Sequence, residues 1–395
     1  MVVGLFTDSY KPYICGVTTS VEMLKQGLEA LGHEVYVICT KLTKKQAKTY
    51  QDTDPHVIRI NGIHLHKKGL DDFRLSMFAH IKYRKLRKYK FDIVHIHTEF
   101  TMRHLGLVYA RKMKVPAIYT SHTMYEDYFH FLSPFLAKHA HRPLMWFLKK
   151  FINSISKKVE YTIAPSHKLK EKLENYNLKA TYKVIPTGIE IDRFFPKNVD
   201  LNTSKIIRQN LGIADSDFCF LYLGRCSKEK SIDILVRQFL NLECENVKMV
   251  VVGTGVAIPQ LKQQALEHPN GNRVIFTGVV PWEDVPKYYQ IADCFLNASI
   301  TETQGLTYIE GLASGLPVIY RKDSVLDEVI IDKENGILYE TEEELLHWMK
   351  EIMINEELRN KLSNNASKSV EKYSKECYTN NVLELYNSVL KTKEE

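Results

Sequence analysis

The sequence predicts an α/β protein of two domains, each built around a parallel β-sheet. Short apolar runs with strand character alternate with segments of helical periodicity, an order that indicates parallel strands covered by helices on both faces. The chain of 395 residues has room for two domains of about 150 to 200 residues each. The polar stretch 196–210 is the best candidate for a linker. We therefore predict a first domain over residues 1–200, a second over 201–375 and a final helix over 376–395.

The strands predicted in the first half are 2–7, 34–39, 56–60, 92–97, 117–120, 161–165 and 182–185. The loop after the first strand leads into a helix that ends near Gly32, with Thr19 and Glu22 as its expected capping box. Gly16 lies just before this helix, where a missing side chain lets a phosphate approach the backbone. A glycine needed for the turn alone is the other explanation.

His122 follows the strand 117–120 closely. The loops of a parallel sheet diverge at the carboxyl ends of its strands, and ligands bind there. His122 is therefore a candidate ligand contact, with a histidine that merely caps its loop as the alternative.

Charge is distributed unequally along the chain. Residues 1–200 contain 33 Lys and Arg against 18 Asp and Glu, a net charge of +15, whereas residues 201–395 contain 21 against 29, a net charge of −8. Such an asymmetry indicates that the first half faces an anionic partner.

Two segments of the first half combine an apolar helical face with basic residues, the pattern of an interfacial helix on anionic lipid. The first segment pairs Leu70, Phe73, Met77, Phe78 and Ile81 with Lys82, Arg84, Lys85, Arg87, Lys88 and Lys90. The second pairs Phe131, Leu132, Phe135, Trp146, Phe147, Leu148, Phe151 and Ile152 with Lys138, Arg142, Lys149, Lys150, Lys157 and Lys158. In the alternative interpretation each apolar face packs on the sheet and the lysines are solvated.

The second half repeats the alternation, with strands at 218–224, 247–253 and 273–277. Arg225 and Lys230 fall at a predicted helix start, where cations oppose the helix dipole unless they bind an anion. Arginine as a two-pronged donor and lysine as a mobile point charge suit a diphosphate. Exposed cations without a ligand are the alternative. Thr254 precedes Gly255 in a short turn suited to close backbone approach.

The stretch 299–320 contains a loop, a helix and a short apolar strand. Glu302 is expected in the loop and Glu310 about one and a half turns inside the helix. Gln304, Gly305 and Leu306 lie at the helix start, where free backbone N–H groups suit hydroxyls and phosphate oxygens. An ordinary loop and helix with two solvated glutamates is the alternative.

Glu302 and Glu310 around Gln304-Gly305-Leu306 resemble the Glu-x7-Glu signature of glycosyltransferase family 4, retaining enzymes of the GT-B fold. The resemblance covers nearly the whole chain. The sequence around Glu302 is most similar to that of the branch that glucosylates diacylglycerol. Further matches are Gly16, His122, Thr187-Gly188, Arg225 and Lys230. The chain departs from the family at Gln304, usually aromatic, and at Thr187, usually asparagine.

The resemblance implies two Rossmann-like domains with a nucleotide sugar in the cleft between them and a C-terminal helix that crosses back to the first domain. It implies that Gly16, Arg225 and Lys230 contact the donor diphosphate, and that Glu310 binds the ribose. Glu302 and the N–H groups of the Gln304, Gly305 and Leu306 segment would hold sugar hydroxyls, and His122 would contact the transferred sugar. Thr254 and Val280 complete the expected donor site, the second beside the base. The candidates on the acceptor side are Tyr125, Asp127 and Tyr128.

The expected reaction is transfer of a hexose, glucose in the first instance, from a UDP-sugar to diacylglycerol. The resemblance implies an α-linkage formed by front-face displacement, with Glu302 as a positioning residue. We expect no cofactor and no metal requirement, because no Asp-x-Asp pair occurs in a loop that follows a strand. A soluble, polysaccharide or protein acceptor is the alternative. A basic nucleic-acid-binding module is the alternative of another class, but the lysine-rich segments match no recognition motif, so no nucleic-acid partner is expected.

The seven cysteines are scattered and form no Cys-x-x-Cys pair, as expected for free thiols in a reducing cytosol. Met1 leads directly into the first strand, and no apolar run approaches the length of a membrane span. The expected location is therefore cytoplasmic, with peripheral attachment to anionic lipid on the inner face of the cell membrane.

Overall fold

The computed structural model describes residues 1–13, 15–64, 74–75, 78–124, 141–176 and 180–394. The chain forms two compact units, Met1–Ile189 with Ser374–Glu395 (unit 1), and Glu190–Tyr373 (unit 2). Each is an α/β unit with a parallel sheet, as predicted. The functional roles assigned to residues 1–200, 201–375 and 376–395 stay predictions.

Unit 1 contains a seven-stranded sheet in the order β3-β2-β1-β6-β7-β8-β9 and a two-stranded antiparallel sheet of β4 and β5. Every neighbouring pair in the larger sheet is parallel. The strands are β1 (Val2–Thr7), β2 (Glu34–Thr40), β3 (Val57–Ile60), β4 (Ile63–His64), β5 (Arg74–Leu75), β6 (Ile93–Ile96), β7 (Ala117–Thr120), β8 (Tyr161–Ala164) and β9 (Tyr182–Val184).

The helices of unit 1 cover both faces of this sheet. They are α1 (Gly16–Ala30), α2 (Gln46–Thr49), α3 (Ala79–Leu86), α4 (Thr101–Met113), α5 (His141–Ser156), α6 (His167–Glu174) and, from the end of the chain, α14 (Lys375–Glu394), with a 3-10 turn at Arg87–Tyr89. The last helix packs in the core of unit 1 through an apolar stripe of Tyr378, Val382, Leu385, Tyr386 and Val389. The expected return of the C-terminal helix to the first domain is confirmed.

Unit 2 contains a six-stranded parallel sheet in the order β12-β11-β10-β13-β14-β15. Its strands are β10 (Phe218–Leu223), β11 (Val247–Val252), β12 (Val274–Gly278), β13 (Cys294–Asn297), β14 (Val318–Arg321) and β15 (Ile337–Tyr339). Its helices are α7 (Leu201–Asn210), α8 (Ile232–Leu240), α9 (Ile258–Leu266), α10 (Val285–Gln290), α11 (Leu306–Ala313), α12 (Glu342–Ile354) and α13 (Glu356–Ala366). The 3-10 turns are Ile191–Arg193, Pro196–Asn198, Lys228–Lys230, Gly271–Arg273, Trp282–Asp284 and Ser367–Tyr373.

Both large sheets have a point where the strand order reverses. In unit 1 it lies between β1 and β6, and in unit 2 between β10 and β13. The central strands are buried on both sides, as their continuous apolar runs require. In such sheets the loops at the carboxyl ends of the two strands beside the reversal diverge and leave room for a ligand. The fold therefore selects four loops, two per unit, as candidate ligand contacts.

Three local predictions were wrong, and two strands of the sheet in unit 2 were missed. The predicted linker 196–210 contains α7, which Asp200 caps through the backbone N–H of Asn202 at 3.0 Å. Helix α1 begins at Gly16 without a side-chain cap, so Thr19 and Glu22 form no capping box. Glu22 accepts hydrogen bonds from Tyr10 and Lys11 instead. Strands β13 and β15 were not predicted.

The third wrong prediction concerns the proposed helical face that begins at Leu70. Arg74–Leu75 is a strand, and the helix begins at Ala79 after Phe78 in a left-handed conformation with φ of 62°. Leu70, Phe73 and Met77 lie outside the described residues. Among the residues described, no helix combines the length and apolar character needed to cross a bilayer. All seven cysteines are free thiols, as expected.

Candidate active site

Three of the candidate donor residues of unit 2 lie on the loops beside the strand-order reversal. Arg225 and Lys230 lie on the loop that follows β10, and Glu302 lies on the loop that follows β13. Because β10 and β13 are neighbours in the sheet, their carboxyl ends bring these two loops together. The pairing of β10 with β13 thus brings Lys230 and Glu302 together, although they are 72 residues apart in the sequence.

Lys230 and Glu302 form an ion pair in which the Nζ of Lys230 donates to Oε1 of Glu302. Each side chain is 16% exposed, so the pair is partly shielded from water and still open to a ligand. A cation and a carboxylate at the mouth of a parallel sheet can bind phosphate and hydroxyl groups respectively. The structure therefore brings together two of the residues predicted from separate motifs.

Arg225 is held by a carboxylate that the sequence did not identify. Its Nη2 donates to Oε1 of Glu229 at 2.9 Å, and the hydroxyl of Ser227 donates to the same oxygen at 2.6 Å. The Glu229 side chain is 6% exposed, and its Oε2 has no hydrogen-bond partner among the described residues. Its position directly before Lys230 is the signal that could have identified it.

Gly305 forms the turn into α11. Its φ of 78° is left-handed, and a Cβ there would lie 2.4 Å from the ring of Tyr308. Glycine is therefore required both by the backbone conformation and by the space. Leu306 is the first residue of α11, and no side chain caps the helix start. The first N–H groups of this helix are thus available to ligand oxygens, while the Gln304 side chain is buried.

Glu310 lies inside α11, as predicted, but it is buried rather than solvated. It is 4% exposed, and the hydroxyl of Tyr289 donates to its Oε2 at 2.8 Å. Burial raises the pKa of Glu310 to about 7, and the hydrogen bond from Tyr289 partly opposes this shift. A carboxylate poised near neutral pH beside a free helix start is suited to accept hydrogen bonds from ligand hydroxyls.

The other two donor candidates lie on the loops that follow β11 and β12. The carbonyl of Thr254 accepts from the backbone N–H of Cys226 at 2.9 Å, which joins this loop to the one that carries Arg225. A Cβ on Gly255 would lie 2.0 Å from the carbonyl oxygen of Cys226, so the predicted close approach is between two protein loops. Val280 is partly exposed just beyond β12.

Unit 1 places its two candidates at the carboxyl edge of its own sheet. Gly16 is the first residue of α1, and an added Cβ would meet no atom within 4 Å. His122 follows β7, and its Nε2 lies 3.2 Å from Nδ1 of His97 at the end of β6. The acceptor candidates Tyr125, Asp127 and Tyr128 lie outside the described residues. The roles of all these residues stay predictions.

Comparisons with known proteins give matches over both units. Residues 14–193 match the family model Glycosyltransferase Family 4, and residues 203–369 match the model Glycosyl transferases group 1. The alpha-monoglucosyldiacylglycerol synthase of Acholeplasma laidlawii is 40% identical over 98% of this chain and 96% of its own length. The protein of the same name from Streptococcus pneumoniae is 38% identical over 90% of this chain and 78% of its own length.

Solved structures share the fold at low identity. Anabaena Alr3699/HepE in complex with UDP and glucose has a TM-score of 0.78 at 18% identity, with 98% of this chain and all of that chain covered. Sucrose-phosphate synthase from Thermosynechococcus elongatus has a TM-score of 0.80 at 19% identity, with 99% of each chain covered. The fold and the relatives define a glycosyltransferase of the GT-B class. Within that class, the chain belongs to glycosyltransferase family 4.

Proposed function

We propose that this glycosyltransferase transfers glucose from UDP-glucose to diacylglycerol, with retention of the anomeric configuration, at the cytoplasmic face of the cell membrane. The observation that carries the proposal is the 40% identity to an alpha-monoglucosyldiacylglycerol synthase over 98% of the chain. Identity at that level over both units supports a shared acceptor as well as a shared fold.

The chemistry proposed for unit 2 is stabilisation of a departing diphosphate. Negative charge develops on the leaving group, and the guanidinium of Arg225 and the ammonium of Lys230 are the cations that would offset it. Glu302 would hold sugar hydroxyls and Glu310 the ribose. In the front-face displacement, the departing phosphate takes the proton of the acceptor hydroxyl, so Glu302 orients the sugar without forming a bond to it.

We also propose that turnover needs no divalent metal. The two cations Arg225 and Lys230 supply positive charge that other transferases obtain from a metal ion. Activity in the presence of excess chelator should therefore equal activity in its absence, and restored activity on addition of Mg²⁺ after a complete loss would contradict the proposal.

Membrane attachment is proposed through the described parts of the two basic segments. Phe78 and Ile81 at α3 are 61% and 54% exposed, and exposed Arg84, Lys85, Arg87, Lys88 and Lys90 follow them. On α5, Trp146 is 63% exposed, and the Nζ of Lys150 lies 5.0 Å from its ring centroid. Exposed aromatic and apolar side chains among lysines favour the interface of an anionic bilayer. Ile152 belongs instead to the core of unit 1.

The experiment that tests the donor and acceptor together uses a panel of radiolabelled UDP-sugars with diacylglycerol in anionic mixed micelles. We expect an α-linked glucosyl product with UDP-glucose. Lys230→Gln should abolish most turnover, whereas Lys228→Gln, a change of the same charge at an exposed position of the same 3-10 turn, should retain it. Full turnover on a soluble or polymer acceptor without lipid would overturn the acceptor assignment.

A further inference from the structure

Three histidines form a continuous stack at the carboxyl edge of the sheet in unit 1. His95 lies in β6, His97 follows the end of that strand, and His122 follows the adjacent strand β7. The ring centroids of His95 and His97 are 4.1 Å apart, and those of His97 and His122 are 5.5 Å apart with an interplanar angle of 18°. His95 and His97 are fully buried, whereas His122 is partly exposed.

The hydrogen bonds of the stack differ from ring to ring. Both nitrogens of His95 are satisfied, Nδ1 by the hydroxyl of Tyr386 at 2.6 Å and Nε2 by that of Thr120 at 2.7 Å. His97 has one partner, because its Nδ1 lies 3.2 Å from Nε2 of His122 and its buried Nε2 has none among the described residues. The polar contact between His122 and the two buried histidines is therefore made by its Nε2, to Nδ1 of His97.

All three imidazoles are neutral at physiological pH. Burial lowers the pKa of His95 to about 3 and that of His122 to about 4, and it lowers the pKa of His97 well below its ordinary value. A neutral imidazole carries one N–H and one bare nitrogen. A hydrogen bond between His97 and His122 therefore uses a single proton, which belongs to Nδ1 of His97 or to Nε2 of His122.

The unpartnered nitrogen of His97 decides between these two arrangements. If His122 donates, His97 must carry its own proton on Nε2, where it is a buried N–H without an acceptor. If His97 donates from Nδ1, its Nε2 is a bare nitrogen instead. Among backbone groups, orphaned buried N–H donors are rarer in proteins than under-satisfied acceptors, and the same preference applied to the imidazole favours the second arrangement.

We propose that His97 is a positioning residue that fixes the tautomer of His122, by donating from its Nδ1 to Nε2 of His122. His122 then carries its proton on Nδ1 and offers a hydrogen-bond donor to an oxygen of the bound sugar. The tautomer assignment stands on the contacts within unit 1. Its consequence for the sugar rests on the proposed function.

The test is long-range ¹H–¹⁵N NMR of the imidazole nitrogens in protein labelled with ¹⁵N-histidine and measured without substrate. The chain has 15 histidines. The imidazole signals of His122 and His97 are assigned by their absence from the spectra of His122→Asn and His97→Asn. We expect His122 protonated on Nδ1 and His97 also on Nδ1. A His122 signal protonated on Nε2 in the unsubstituted protein overturns the proposal, whether or not any variant folds.

Two substitutions of His97 separate the donor from the ring. His97→Phe keeps an aromatic ring and removes the donor, so His122 should populate both tautomers. His97→Asn keeps an amide donor near the place of Nδ1, so His122 should stay protonated on Nδ1. His347→Asn, at an exposed position of unit 2, should leave the His122 signal unchanged. A single unchanged His122 tautomer in His97→Phe contradicts the proposal.

The kinetic consequence is a loss of sugar recognition that the conservative variant restores. With UDP-glucose and diacylglycerol, kcat/KM should fall about tenfold in His97→Phe, the order expected for one hydrogen bond, and should stay near the unsubstituted value in His97→Asn. Equal losses in both variants, with the His122 tautomer preserved in His97→Asn, would overturn the proposed role in sugar recognition. Absence of transfer to any acceptor by the unsubstituted enzyme would overturn the proposed function and leave the tautomer assignment intact.

Discussion

At the scale of single residues, the ion pair between Lys230 and Glu302 gives both groups a partner before any donor is present. Each of these two side chains is only 16% exposed. Partial burial of either charge without a partner would be unfavourable, because the lost hydration would not be compensated. A diphosphate that approaches Lys230 supplies a second anion to the same ammonium. Glu302 can then share its oxygens between Lys230 and sugar hydroxyls, as a positioning residue must.

Glu302→Gln tests this assignment. The substitution keeps the size of the side chain and removes the charge that holds Lys230 and that is proposed to order the sugar. We expect kcat to fall by about 100-fold, the order seen when one preorganised electrostatic contact is lost, and the product to keep its α-configuration by NMR. Glu267→Gln, at an exposed carboxylate of unit 2, should leave activity unchanged. A glycosyl adduct trapped on Glu302 would refute the positioning role.

Glu310→Gln should change the pH dependence of stability. Because the pKa of Glu310 is raised from 4.5 to about 7 in the folded protein, the folded state binds the proton more tightly than the unfolded state. The contribution of Glu310 to stability is therefore largest below pH 4.5 and is lost as the pH rises through about 7, by up to about 3 kcal/mol.

Urea unfolding at pH 5 and pH 8 measures this effect. The difference in unfolding free energy between Glu310→Gln and the unsubstituted protein should shift in favour of the variant from pH 5 to pH 8, while UDP affinity at pH 8 should fall about tenfold through loss of the ribose acceptor. A pH-independent stability difference would show that the Glu310 carboxyl titrates normally.

The sequence could identify residues whose contacts are local or set by strand ends, and it could not identify those set by tertiary pairing. Glu302 and Glu310 were located correctly relative to α11, because loop and helix start follow from apolar spacing. The burial of Glu310 depends on Tyr289, 21 residues away on α10. The partnership of His97 with His122 depends on strand order in the sheet. Neither leaves a pattern in a single sequence.

At the scale of elements, helix α1 contains two glycines in different surroundings. Its N-terminal Gly16 faces open space, whereas Gly27 touches α14, where an added Cβ would lie 1.9 Å from Oγ1 of Thr379. That hydroxyl cannot easily move away, because it donates to the carbonyl of Lys375 at 2.7 Å. Glycine is therefore needed at position 27 for helix packing, whereas Gly16 is proposed to leave the helix start open to a ligand.

Gly27→Ala and Gly16→Ala form a matched pair. Alanine favours a helix interior by about 1 kcal/mol over glycine, but overpacking at Gly27 costs about 1 to 3 kcal/mol or more, so Gly27→Ala should lower the free energy of unfolding. Gly16→Ala should change it by less than about 0.5 kcal/mol and weaken UDP binding in calorimetry. A Gly27→Ala protein more stable than the unsubstituted one would mean that α14 does not pack tightly on α1.

The elements that the sequence missed are short or have their signal masked. Strand β15 has three residues and β13 has four, and so short an apolar run cannot be assigned to a strand by periodicity alone. Helix α7 begins at Leu201 after the N-cap Asp200. The segment is polar and was interpreted as a linker, although Asp200 is a helix start signal. The expected capping box at Thr19 failed because α1 begins three residues earlier, at Gly16, and Glu22 accepts from Tyr10 and Lys11 instead.

At the scale of the whole molecule, the net charge of +15 over residues 1–200 and −8 over residues 201–395 is the feature that the fold leaves unexplained. Arg225 and Lys230, the cations proposed to bind the donor, lie in the acidic half. The excess of positive charge in the first half therefore needs another partner. The exposed basic residues after Phe78 and Ile81 at α3 and an acceptor proposed to reside in lipid favour an anionic bilayer.

Vesicle flotation of charge variants tests this assignment. Lys85→Gln, Lys88→Gln and Lys90→Gln combined remove three exposed charges, each contributing about 1 kcal/mol near an anionic surface, so binding to anionic vesicles should weaken on the order of a hundredfold. The control combines Lys205→Gln, Lys262→Gln and Lys368→Gln, exposed positions of unit 2, and should bind as the unsubstituted protein does. Surface charges are screened over about 10 Å at 0.1 M salt. Added salt should therefore weaken vesicle binding of the control more than that of the variant substituted at Lys85, Lys88 and Lys90. Equal binding of both triple variants at low salt would place the membrane contact outside α3 and its basic extension.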